Sequence, residues 1–124
     1  MNKFRFRNFK VYQDSIDFRM RIKLLVNTHL PASEKYLLSD QILRAANSIV
    51  LNIAEGADRS TDKDFALFLN RSHTSLNEVV ACLDIALKER HISVGVHTKH
   101  LDEARDLADQ LTAFRRKLLV RPTK

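Results

Sequence analysis

The stretch from Gln41 to Gly56, QILRAANSIVLNIAEG, constrains the fold more than any other because it carries two stripes at helical spacing. At about 100° per residue, Ile42, Ala45, Ala46, Ile49, Val50, Ile53 and Ala54 fill a broad apolar arc. Gln41, Arg44, Ser48, Asn52 and Glu55 form a narrow polar ridge beside it. The ridge mixes one Arg and one Glu with short amide and hydroxyl groups, which suit hydrogen bonding to protein more than solvation. The stretch therefore reads as a core helix with both stripes against protein. Arg71 and Glu78, further along, offer partners to the ridge. These seven residues predict a structural polar network that fixes helix register or subunit pairing. A catalytic reading is weaker, since no nucleophile, His or metal-ligand pair falls on the same stripes.

A chain of 124 residues supports one core and one domain. Two Gly and two Pro leave few turn signals, so helices are favoured over strands. The lone Cys82 cannot form an internal disulfide, and within Val79-Val80-Ala81-Cys82-Leu83 it reads as a core residue. No long apolar run suggests a leader or membrane span, so a cytoplasmic location is expected.

Periodicity and punctuation predict an all-α, antiparallel up-down-up-down four-helix bundle over residues 9–119. Its helices cover about 9–28, 39–56, 62–90 and 98–119, with an extended arm over 1–8 and a basic tail over 120–124. Asn8 and Ser39 are candidate N-caps, Gly56 a left-handed C-cap, and Thr61-Asp62-Lys63-Asp64 a capping-box-like start. The first helix carries Val11, Ser15, Phe18, Ile22 and Leu25 on one seam, with Tyr12, Ile16, Met20 and Leu24 beside it. The third carries Phe65, Phe68, Leu69, Ser72, Leu76, Val79, Val80, Leu83 and Leu87. Its second face holds Leu67, Arg71, Glu78 and Ile85. The fourth presents Leu101, Ala104, Leu107, Ala108, Leu111, Phe114 and Leu118, with acids early and Arg115, Arg116 and Lys117 late, as the helix dipole favours.

Several of these positions also carry a family resemblance. Gln41, Arg44, Ala45, Ala46, Ser48, Ile49 and the run Asn52-Ile53-Ala54-Glu55-Gly56 resemble the four-helix-bundle proteins encoded in intervening sequences of bacterial large-subunit ribosomal RNA. The likeness extends from Phe9-Lys10-Val11-Tyr12-Gln13 through Leu30-Pro31 and Glu34 to Phe65, Phe68-Leu69 and Ser75-Leu76-Asn77-Glu78. One departure is Ser72-His73-Thr74, where the family usually has a small residue and then glycine. Related accessory proteins of diversity-generating retroelements imply RNA or reverse-transcriptase partners and a ring of five subunits. Apolar residues on second seams of the first and third helices fit such a homo-oligomer.

The net charge of +6 is distributed unevenly. Residues 1–23 hold seven Lys and Arg against Asp14 and Asp17, a net of +5; residues 115–124 add +5, leaving −4 between them. In an up-down bundle both basic ends share a pole. Lys3, Arg5, Arg7, Lys10, Arg59, Arg115, Arg116, Lys117, Arg121 and Lys124 are therefore the candidate nucleic-acid-binding residues. In the arm, Phe4 and Phe6 alternate with Lys3, Arg5 and Arg7, which fits either a strap on the bundle or direct stacking on bases. His91, His97 and His100 cluster near the last loop, but read as surface histidines without a metal. Arg90 to His97 loosely resembles the motif of helical-bundle ribonuclease toxins, except that it straddles a loop with Gly95. No catalytic residue, cofactor or metal is expected. The favoured function is a non-enzymatic, basic nucleic-acid-binding or scaffold protein; the alternatives are such a toxin and a purely structural protein-interaction module.

Overall fold

The computed structural model describes residues 3–120. Four helices, α1 (Lys10–His29), α2 (Leu38–Gly56), α3 (Asp62–Lys88) and α4 (Val94–Val120), form the bundle, with no strand among the described residues. Each helix packs against the two beside it: α2 and α4 both contact α1 and α3, while α1 and α3 lie diagonally opposite, as do α2 and α4. The α1–α4 seam is the loosest of the four.

The packing follows the seams. On α1, Val11, Ser15, Phe18, Ile22 and Leu25 are all buried. Ile42, Ala45, Ala46, Ile49 and Ile53 of α2 meet Phe65, Leu69, Leu76, Val79 and Leu83 of α3 and Ala104, Leu107 and Leu111 of α4 in one core. Each fully buried Ile, Leu or Phe contributes roughly 1.5–3 kcal/mol. Small residues bring α2 and α3 together: the buried Ser72 hydroxyl donates across the interface to the Ile49 carbonyl at 2.8 Å. That contact retains close helix packing despite the Ser72-His73-Thr74 departure. Burial raises the Cys82 thiol above its ordinary pKa, with Glu78 adding to the effect, so Cys82 is a packing residue.

Several local expectations are corrected. The arm is not extended throughout, because Arg5–Asn8 form a 3₁₀ turn closed by Phe9 N–H to the Phe6 carbonyl. Asn8 caps nothing: Phe9 occupies the N-cap of α1 without a side-chain bond. Ser39 lies inside α2 and is buried. Thr61 does cap α3, its hydroxyl accepting from Asp64 N–H at 3.1 Å. The fourth helix starts at Val94 rather than near Thr98, because the Ser93 hydroxyl accepts from Val96 N–H. Gly95 is therefore helical. A second 3₁₀ turn, Ala32–Glu34, crosses between α1 and α2.

Gly56 is helical, with no left-handed backbone. Its role is steric, since a Cβ there would lie 2.5 Å from Phe68 Cβ and 3.0 Å from a Phe65 ring carbon. Gly56→Ala should destabilise the fold by about 1–3 kcal/mol. Gly95→Ala, where the nearest atom is 3.8 Å away, should leave stability unchanged or raise it by up to about 1 kcal/mol. Urea unfolding of the two variants checks the contrast.

Candidate functional site

One pole gathers the start of α1, the end of α2, the start of α3 and the end of α4. Aromatic rings fix it. Phe9 lies 6.1 Å from Phe65 and 5.3 Å from Phe114, and Phe65 lies 5.2 Å from Phe114, so three helices are pinned by one ring cluster. The 3₁₀ turn closes over it: the Arg5 guanidinium donates to the Ala57 carbonyl at 2.9 Å and stacks 5.4 Å from the Phe9 ring and 5.7 Å from Phe65. Phe6 packs edge-on to Tyr12 at 4.9 Å. Phe4 remains 58% exposed.

The candidate cations divide by what they touch. Arg5 is committed to the end of α2. Lys10 pairs with Asp14, and that hydrogen bond raises the Lys10 ammonium above its ordinary pKa. Asp14 is lowered in turn, first by Lys10 and then by the Gln110 amide. Arg59 reaches Asp64 at 3.8 Å and covers the Phe68 ring at 5.0 Å. Among the described residues, Lys3, Arg7, Arg115, Arg116 and Lys117 are exposed and have no carboxylate within ion-pair distance. Arg121 and Lys124 lie outside the described residues.

Two of the grooves at this pole are lined by the exposed cations Lys3 and Arg115. The larger, about 1010 Å³, is bounded by Lys3, Phe4, Arg5, Leu51, Asp58 and Arg59. The smaller lies between α3 and α4 and places Lys63 beside Arg115, with Leu67, Asn70 and Leu119. Sequence reasoning omitted Lys63, because it was read only as part of a capping motif.

The five ridge residues and their expected partners Arg71 and Glu78 do not form one network. Ser48 and Asn52 bond to each other, and Ser48 meets Ser75 of α3 at 2.8 Å. Arg44 pairs instead with Asp40 one turn earlier, and Gln41, Glu55 and Glu78 are exposed. Arg71 stacks over Phe68 at 4.5 Å, so it shares that ring with Arg59 and does not cross to the ridge. The helical drift over α2 turns the ends of the ridge towards solvent, and only its middle faces α3. Ser75 was the missed partner.

At the opposite pole, His97 Nε2 lies 2.8 Å from Asp84 Oδ1 and His100 Nδ1 lies 2.8 Å from the Val96 carbonyl oxygen. Both are held by single helix-to-helix or helix-turn bonds.

A family model described as 23S rRNA-intervening sequence protein matches residues 7–113. The chain belongs to that family. No curated protein matches it. Among solved structures it is similar to a protein of unknown function from the S23 ribosomal protein family of Bacteroides thetaiotaomicron. The TM-score is 0.77 at 24% identity, over 85% of this chain and 97% of that one, which shows a shared fold. The span matched to the intervening-sequence family includes Arg7, Lys10 and Arg59 but stops before Arg115. The cations at the end of α4 thus stand outside the matched region.

This sorting yields a contrast within one pole. Arg5→Ala removes a hydrogen bond and two ring contacts and should cost about 1–2 kcal/mol of stability. Arg115→Gln should stay within about 0.5 kcal/mol of the parent chain. Thermal unfolding followed by circular dichroism measures both.

Proposed function

We propose that this family member is a non-enzymatic, oligomeric bundle whose basic pole binds RNA or DNA with low sequence specificity. In this reading it is a cytoplasmic scaffold for a reverse transcriptase or another nucleic-acid enzyme. The observation that carries the proposal is the convergence of Lys3, Arg7, Arg115, Arg116 and Lys117, without carboxylate partners among the described residues, on the pole closed by the aromatic cluster. Cations left without partners can release counterions on meeting phosphate, which is the main source of non-specific nucleic-acid affinity. Phe4, exposed beside Lys3 and Arg5, adds a ring on which a base can stack. Glu55 and Asp58 border the same groove and direct a phosphate backbone towards Arg7 and the end of α4. The family's name refers to ribosomal RNA, which favours an RNA context. The cations at the end of α4 suit contact with the phosphate backbone, which carries no sequence information, and this supports low specificity.

The toxin alternative turns on His97, which is bonded to Asp84 at the pole opposite the basic one and so stands apart from the proposed RNA-binding surface. RNA that is degraded by wild type and spared by His97→Ala would establish the toxin alternative instead.

Fluorescence anisotropy with a short single-stranded RNA should give micromolar affinity that falls roughly 10²–10³-fold between 50 and 200 mM salt. Replacing Arg115, Arg116, Lys117 and Arg121 with Gln should lower affinity and reduce the log–log salt slope by up to about 3. Unchanged binding would move the interface elsewhere.

Oligomerisation rests on apolar surface that the described chain leaves uncovered: Met20 and Leu24 on α1, Leu51 on α2, and Leu67 and Ile85 on α3 are 47–66% exposed. A ring of five would present five basic poles in one direction and convert weak phosphate sites into avid binding. Light scattering at micromolar concentration should report about five times the 14.3 kDa chain mass, and a value near 14.3 kDa would overturn the ring.

A further inference from the structure

The pole opposite the basic one brings together Glu34, Glu89 and His91, residues from two separate connections. One ligand atom from each lies within 4.8 Å of the other two. Glu34 ends the 3₁₀ turn between α1 and α2, whereas Glu89 and His91 follow α3. The end of α3 fixes His91 tightly: Arg90 takes a left-handed backbone with φ 64°, and His91 N–H bonds to the Ala86 carbonyl at 2.9 Å. Together with Arg90 N–H to Leu87, this is a Schellman ending, which usually employs glycine where Arg90 stands.

The decisive atom is His91 Nε2, which is buried and has no hydrogen-bond partner. Burying a ring nitrogen without a partner is costly, so the atom calls for a ligand. Glu89 Oε1 is 3.8 Å away, too far for a hydrogen bond. That separation does suit two donors on one ion: bonds of about 2.0–2.2 Å at tetrahedral or wider angles place donor atoms about 3.4–4.2 Å apart. Two carboxylates with one imidazole are a donor set that accepts a borderline divalent ion. Glu89 is half exposed, which leaves an entry path and room for water at a fourth position.

We propose that Glu34, Glu89 and His91 form a divalent-metal site, with Zn(II) the best-suited ion, that ties the α1–α2 connection to the α3–α4 turn. The site is structural. It clamps the two connections at the pole that lacks the aromatic cluster, and its function does not depend on nucleic-acid binding at the other end.

The test uses the full chain, stripped with chelator and titrated with zinc chloride by calorimetry. One equivalent per chain should bind with a dissociation constant of about 10 µM or tighter, and the melting temperature should rise by roughly 10 °C at a hundredfold excess over that constant. Glu34→Gln and His91→Gln should each weaken binding at least ~10-fold. The double variant His97→Gln with His100→Gln should bind as wild type does. Cobalt(II) in place of zinc should give visible absorption bands of a low-coordinate site that vanish in His91→Gln. Circular dichroism confirms that each variant is folded; Glu34, on a surface turn, serves if His91→Gln is not. Absence of binding at about 100 µM zinc, or binding that survives both Glu34→Gln and His91→Gln, would overturn the proposal.

Discussion

The bundle depends on how closely the end of α2 approaches the start of α3. Bare backbone at Gly56 meets the Phe68 side chain, and no residue with a Cβ fits without moving one of the two helices. Because the approach is tight, the Phe68 ring is pressed between helix and surface, where Arg59 and Arg71 cover it from outside. The same approach sets Phe65 under Phe9 and Phe114. Close packing of a glycine thus determines an aromatic cluster, and the cluster determines which chain ends meet.

Charge is arranged around that cluster in two different ways. Some cations belong to the fold: Arg5 satisfies a carbonyl at the end of α2, where the helix dipole also favours a positive group. Others follow the dipole of α4 but exceed what it requires, since one cation in the last turn suffices and Arg115, Arg116 and Lys117 stand together. A count of basic residues treats the two kinds alike. Only their partners separate them.

The helical periods made most of the fold legible, because burial follows from spacing alone: every residue on the first seam of α1 and nearly all of the α3 seam is buried. Ends of helices were less legible. Asn8 and Ser39 have the right chemistry for capping, yet the chain enters α1 through Phe9, whose ring packs on Phe65 and Phe114, and α2 through the exposed Leu37, so neither helix uses a side-chain cap worth about 1 kcal/mol. The left-handed backbone expected at Gly56 occurs at Arg90 instead. The glycine is needed for space, and the left-handed turn falls to an arginine. The polar ridge of α2 was visible as a pattern, but Ser75 as its partner was not, since one serine on a neighbouring helix carries no signal in sequence.

The two poles also differ in how their strain is met. At the aromatic pole the connection between α2 and α3 is short, with the Ala57 carbonyl satisfied by Arg5 and the α3 start capped by Thr61. At the other pole, Arg90 holds an unfavourable backbone, and the histidine it positions keeps a buried nitrogen without a partner. Strain of this kind persists where surrounding structure enforces it, and here the enforcing contact is the Schellman pair of backbone bonds. A bundle whose α1–α4 seam is its loosest gains most from a tie between connections at the pole where side chains have not already provided one.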